Sequence, residues 1–333
     1  MDLINMQHGS GGMATDALIK DIFEEELYGK AVAVPEDAAV LPGSKRIAVT
    51  TDSFVVTPEV YPGGDIGRLC VCGTVNDLLM RGAQPRYLTC GFVLQTGLPV
   101  SDLKRYVHSL SETAKEAGIQ VAAGDTKVVE GTPGLIINTT GVGFVGEDVD
   151  ISAAGAKNSD VIIVSGDIGR HHAAIMTKRL DIKNTIESDN APLTDMVTKL
   201  IKAGLDIHTM RDVTRGGLAT ILKELAVSSG RVFEIEEELL PVDEQVEKFC
   251  GLLGLEPVYM GCEGRMVVIL PEPQAGEALD IIRSSAYGEN AALIGRVRDA
   301  AEGERAGWLI MKGELGTSRF LSVLQGEGLP RIC

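Results

Sequence analysis

Long apolar runs are missing from this sequence. Segments such as 161–164, or 265–270 with its charged start, fall far below the ~20 residues that span a bilayer, and no membrane span is expected. Residues 1–8 carry Asp2 and no basic stretch ahead of an apolar one, so neither a secretory signal nor a transit peptide is read there, and the expected location is cytoplasmic. Cysteine is scarce: six residues, at 70, 72, 90, 250, 262 and 333, are too few for a disulfide framework, and free thiols are expected. Basic charge is in deficit as well. With 47 acidic residues against 31 basic ones, a formal charge of −16 and no local basic patch, nucleic acid and anionic lipid are not expected partners. The phosphate-binding signature G-x-x-x-x-G-K-[ST] is absent, and the G-x-G-x-x-G at Gly141, Gly143 and Gly146 runs into Glu147 and Asp148 instead of opening an apolar helix. No internal repeat is visible.

What is present is enough for an enzyme. A chain of 333 residues with 44% hydrophobic content can build two domains, each with a core. The apolar spacing predicts an amphipathic helix over 13–28, then short strands at 31–34, 46–51, 86–94, 120–123 and 135–145, with helices at 67–80 and 101–117 between them. The pattern breaks into small and polar residues around 146–160 and restarts with the apolar run 161–164. Helices are expected near 193–202, 217–228, 243–252 and 273–284, and strands near 231–235 and 266–270. The fold class is mixed α/β, with an N-terminal domain over 1–150, a C-terminal α/β domain over 151–311, and a mobile Gly-rich tail over 312–333.

Glycine supplies 39 of 333 residues, about 12% against a typical ~7%, so many backbone turns are tight or approach something closely. The cluster His8-Gly9-Ser10-Gly11-Gly12 directly precedes the first helix. It suits a phosphate group held by free amides at a helix start, or else a plain helix leader. Aspartates recur just after strands or in tight Gly/Thr contexts: Asp37, Asp52, Asp77, Asp125 and Asp212. Each alone reads as a turn or cap residue, yet five together favour a shared carboxylate site for Mg²⁺, which would let this acidic chain bind a polyphosphate. Lys127, beside Asp125 and Thr126, and Arg215, ahead of Gly216 and Gly217, are cations able to meet phosphate oxygens, or to serve as surface charge and ion-pair partners. Cys70 and Cys72 lack a second pair at zinc spacing, and the adjacent His171 and His172 point apart; structural roles suit them better. Cys333 stands out as the last residue of the Gly-rich tail, where a thiol on a loose arm can carry a group into an active site of its own chain.

Motifs distributed along the whole chain sharpen this picture: HGSGG (8–12), TDS (51–53), PGG (62–64), CGTVND (72–77), PRYLTCGF (85–92), GDTKVV (124–129), RDVTRGG (211–217), CEGR (262–265) and the terminal PRIC (330–333). Together they resemble the HypE family of hydrogenase maturation factors, in the superfamily of aminoimidazole ribonucleotide synthetase, selenophosphate synthetase and thiamine-phosphate kinase. The resemblance implies an N-terminal domain whose sheet pairs with that of a second subunit, giving a homodimer, and a C-terminal α/β sandwich with ATP and Mg²⁺ between them. It implies a HypF-type carbamoyltransferase that loads a carbamoyl group on Cys333, and ATP-dependent dehydration of that group to a cyano group. Delivery to iron on HypC and HypD would follow. By resemblance Glu263 is the candidate base. Asp77 joins the site for metal and ATP, to which Gly11, Gly12, Asp52, Asn76, Asp125, Thr126, Lys127, Arg215 and Gly216 are assigned; Asp37 and Asp212 join Asp52, Asp77 and Asp125 as metal ligands.

Overall fold

The computed structural model describes residues 3–9, 17–27, 41–131, 134–313, 316–324 and 333. The expected strand at 31–34, and Gly11, Gly12 and Asp37 with it, lie outside the described residues. Within 13–28 the described part is helical: a π-helical stretch Ile19–Glu24 runs into Glu25–Leu27 and buries Ile22 and Phe23.

The N-terminal half is a four-stranded sheet covered by helices. In chain order come β1 (Ile47–Phe54), the two-residue strands β2 (Val60–Tyr61) and β3 (Gly64–Asp65), α1 (Ile66–Leu79), β4 (Ala83–Gln95), α2 (Val100–Ala117), β5 (Gln120–Val129) and β6 (Leu135–Val145). The strand order is β1-β6-β4-β5, with β4 and β5 parallel and the other pairs antiparallel. Helix α1 is apolar almost all round, so it lies buried between the sheet and α2. Gly141 makes that burial possible, since a Cβ there would stand 2.7 Å from the Thr74 methyl of α1, while a Cβ at Gly143 would meet Ala83 and Gln84 of β4. Their spacing serves packing against the helix and within the sheet.

The C-terminal half is a seven-stranded sheet. Its elements are β7 (Asp160–Val164), α3 (Arg170–Arg179), α4 (Thr194–Lys202), β8 (Thr209–Asp212), α5 (Gly217–Ser229), β9 (Val232–Glu236), α6 (Glu244–Leu253), β10 (Met266–Pro271), α7 (Ala275–Arg283), β11 (Ala292–Arg298), β12 (Leu309–Lys312) and β13 (Ser318–Leu321). The order is β13-β12-β9-β11-β7-β10-β8. Strands β7 and β10 are buried on both faces, which explains their unbroken apolar runs. One face packs on α5; the other, with Val161, Ile163 and Val268, joins α4, α7 and the residues of α1 in a core shared by both halves. The two halves therefore meet through apolar packing.

Strand β13 falls within the segment expected to be tail. Only Leu321 of its four residues is buried, a pattern too short to register as periodic, but it pairs with β12, and Phe320 stacks on Trp308 at 4.6 Å between ring centroids. Residues 325–332 lie outside the described residues.

Candidate active site

Strand β1 sends Ala48, Thr50, Asp52 and Phe54 toward α1, and this alternation places Asp52 against Asp77 in the last turn of that helix. A carboxylate there faces the negative end of the helix dipole, an unfavourable place that signals use over stability. Thr50 Oγ1 donates to Asp77 Oδ2 at 2.7 Å, and the Asp52 and Asp77 carboxyl groups hydrogen-bond to each other. Burial, the Asp77 charge and that hydrogen bond push Asp52 up to about 6, with Arg215 opposing.

The C-terminal half brings up the opposite wall. Asp212 ends β8, paired with Met266 of β10, and burial with the charges of Asp77 and Asp52 pushes it up to about 7. Arg215 follows, then Gly216 and Gly217, both at positive φ; Cβ atoms there would strike Thr220 and the Val258–Met260 backbone, so α5 can begin at this point only with glycines. Glu263 is 4% exposed, and burial, then the charges of Asp212 and Asp189, hold its carboxyl well above the usual carboxylate range against the pull of Arg215.

Cys333 completes the cluster. It packs on the shared core, and its thiol is pushed up to about 12 by burial and then by Glu263, with smaller contributions from Asp52 and Asp212 and relief from Arg215. The other five cysteines are buried and free, as expected.

Thus Asp52, Asp77, Asp212, Arg215, Glu263 and Cys333 come together across the junction. Asp125, Thr126 and Lys127 do not join them within one chain. They sit on edge strand β5, across β6 and β4 from Asp52, about 14 Å away at the usual strand spacing. There Lys127 pairs with Asp125 at 2.8 Å, both largely exposed. Asn76 has its side-chain amide committed at both ends: Nδ2 donates to the carbonyls of Ala191 (3.0 Å) and Glu263 (3.4 Å), and Oδ1 accepts from the Leu193 amide (2.9 Å). His171 is fully buried, with Nδ1 2.7 Å from Ser188 Oγ, and burial lowers His172 to about 4, so the pair is structural.

Among the described residues no three acidic, histidine or cysteine side chains are gathered tightly enough to enclose a metal ion alone. The fit to Mg²⁺ is nonetheless good in kind. Asp52 and Asp77 share a hydrogen bond and repel Asp212, and Mg²⁺ binds through one or two carboxylates while water and phosphate oxygens fill the other positions. Asp189, a neighbour of Glu263, was missed by sequence reasoning; it lies in the patternless loop between α3 and α4, where no periodicity marks a buried carboxylate.

Residues 35–145 match the family described as AIR synthase related protein, N-terminal domain, and residues 157–306 match AIR synthase related protein, C-terminal domain. The chain is similar to the carbamoyl dehydratase HypE of Cupriavidus necator, 41% identical over 99% of this chain and 95% of that protein. It is similar to a crystal structure of hydrogenase maturation protein HypE in complex with ATP, with TM-score 0.94 and 43% identity over 98% of this chain and 99% of that one. A chain from the crystal structure of a HypE–HypF complex aligns with TM-score 0.80 and 42% identity over 92% of this chain and all of that one (100%).

Proposed function

We propose, from the premise that this chain belongs to the HypE family of AIR synthase related proteins, that it is an ATP-dependent carbamoyl dehydratase acting on its own Cys333. The observation that carries this is the seat of Cys333 beside Glu263 and Arg215, at the rim of an acidic cluster suited to a magnesium nucleotide.

The substrate is Cys333 bearing a carbamoyl group, a thiocarboxamide. Its amide oxygen attacks the γ-phosphorus of ATP; the bond to the β,γ-bridging oxygen breaks, ADP leaves, and the nitrogen loses one proton to give a phosphorylated imidate. Loss of the second N–H proton then forms the C≡N bond as the C–O bond breaks, releasing inorganic phosphate and leaving an S-cyano cysteine. Glu263 takes the proton. Burial, then the charges of Asp212 and Asp189, hold its carboxyl well above the usual carboxylate range, which makes it a stronger proton acceptor than an exposed glutamate. Arg215 stabilises negative charge on the transferring group. Asp52 and Asp77 would hold a Mg²⁺ ion, which would supply neutralisation of the nucleotide phosphates.

A HypF-type carbamoyltransferase supplies the carbamoyl group, and the cyano group passes to iron on HypC and HypD in NiFe hydrogenase maturation. The chain works in the cytoplasm as a homodimer. The outer face of its N-terminal sheet exposes Ile47 (56%) and Val49 (59%), an apolar surface suited to a second copy. Among the described residues no helix is long and apolar enough to cross a membrane.

The test is mass spectrometry of the C-terminal peptide from protein carbamoylated by the transferase, purified, and then given MgATP. One water is lost from the Cys333 adduct only when ATP is present. Loss of water without ATP, or ATP-dependent turnover of a soluble substrate by Cys333→Ala, would overturn the proposal.

A further inference from the structure

The backbone of Glu263, which sets where its side chain starts, is held from two directions. Asp189 Oδ1 accepts the Glu263 amide N–H at 3.0 Å, and the Ala191 amide donates to the Glu263 carbonyl at 3.5 Å. The segment that does this is itself fixed from the other half of the molecule, since Asn76 of α1 holds the Ala191 carbonyl and the Leu193 amide. There is no slack between the two strands of this clasp. A Cβ on Gly264 would stand 1.9 Å from the Asp189 carbonyl oxygen and 2.8 Å from the Ala191 amide nitrogen, and both contacts are backbone.

Asp189 is an odd choice for a structural pin. Its side chain has no exposed surface, and Oδ2 makes no hydrogen bond with the described residues. The guanidinium Nε of Arg265 stands 3.9 Å away, beyond hydrogen-bond reach, and the weakly donating Cys262 thiol lies nearby. Burying a carboxylate with one oxygen unsatisfied costs stability that an apolar residue would not incur. A fold selected for stability alone would not keep it.

We infer that Asp189, fixed through Asn76, is the positioning residue for Glu263: it sets where the carboxylate of the proposed base stands relative to Cys333 and ties that position to the packing of the two halves. This inference rests on the reading of Glu263 as the base. A displacement of the order of 1 Å at a reacting group can lower turnover by about 100-fold without touching substrate affinity.

The experiment compares Asp189→Ala, Asp189→Asn and Glu263→Gln, alone and with Asp189→Ala added to Glu263→Gln, in single-turnover dehydration of the carbamoylated full-length chain. Asp189→Ala is expected to lower the rate constant about 10- to 100-fold with the half-saturating ATP concentration within about twofold. Asp189→Asn keeps an Oδ1 acceptor for the Glu263 amide and is expected to recover most of that loss. In the Glu263→Gln background the same Asp189→Ala change is expected to have little further effect, because the group it positions is gone. Equal, additive losses in both backgrounds would overturn the inference, as would failure of Asp189→Asn to exceed Asp189→Ala. If Asp189→Ala does not fold, Asp189→Leu, which fills a similar volume without an acceptor, replaces it in both backgrounds under the same criteria. Full activity of Glu263→Gln would instead refute the reading of Glu263 as the base, a separate result.

Discussion

Burial of the Cys333 thiol makes it a poor nucleophile, and the size of that effect is measurable. The thiol is pushed from an ordinary 9.0 to about 12, chiefly by burial, then by the Glu263 charge. At pH 8 a shift of that size lowers the thiolate fraction about 1,000-fold, and the thiolate is the species that reacts. Alkylation of Cys333 by iodoacetamide therefore proceeds almost wholly through molecules in which Cys333 has left its seat, and its retardation relative to a peptide ending in Pro330-Arg331-Ile332-Cys333 reports that seating equilibrium up to a ceiling of about 1,000-fold. Because the seated thiol ionises at higher pH than the free one, seating is fully favoured below about 9 and is lost as pH rises toward about 12. The rate should climb more steeply than the peptide's across that window. Glu263→Gln should restore only a minor share of the reactivity, since burial is the larger cause. The assay is a timed iodoacetamide pulse read by mass spectrometry of the C-terminal peptide, with the five buried cysteines as internal references. Alkylation of Cys333 at the peptide's rate at pH 8 would refute the seat itself.

Three further outcomes are expected. Gly264→Ala, whose Cβ would collide with the Asp189 backbone, should lose dehydration activity, whereas Gly276→Ala, where nothing lies within 4 Å and the residue is helical, should leave turnover unchanged and raise the denaturation midpoint slightly. Asn76→Ala removes hydrogen bonds to the Leu193 amide and the Ala191 carbonyl at a buried site, and should destabilise the chain by about 2–4 kcal/mol in urea unfolding; an unchanged midpoint would show that the halves are not clasped there. Protons compete with a divalent cation at Asp52 and Asp212, which ionise near 6 and 7, so Mn²⁺ affinity measured by paramagnetic relaxation should rise from pH 5.5 to pH 8 and level off above; a flat profile would exclude these carboxylates as ligands.

Much of the architecture was legible in the residue pattern because burial repeats with the period of the element. The 135–145 strand, the helix near 101–117 and the doubly buried run at 161–164 each declared themselves in this way. Strands β8 and β13, of four residues each, were too short to do so, and the hairpin of β2 and β3 shorter still. The candidate site was legible by residue type: carboxylates in tight turns, a terminal thiol, an Arg-Gly-Gly turn. Which of the carboxylates act together was not. Asp52 and Asp125 have the same local look, yet strand order puts one against α1 and the other on the far edge of the sheet. Asn76, assigned by its motif to nucleotide, is committed to the domain junction by three hydrogen bonds.

By itself the sequence determined what each segment had to bury and which positions had to be glycine for helices to start or sheets to be approached. These are local constraints, set by side-chain chemistry and backbone sterics within a few residues. Only the tertiary structure decided that residues 52, 212, 263 and 333 share one volume and perturb one another's protons, because Coulomb interaction and desolvation depend on through-space distance and burial, which separation along the chain does not encode.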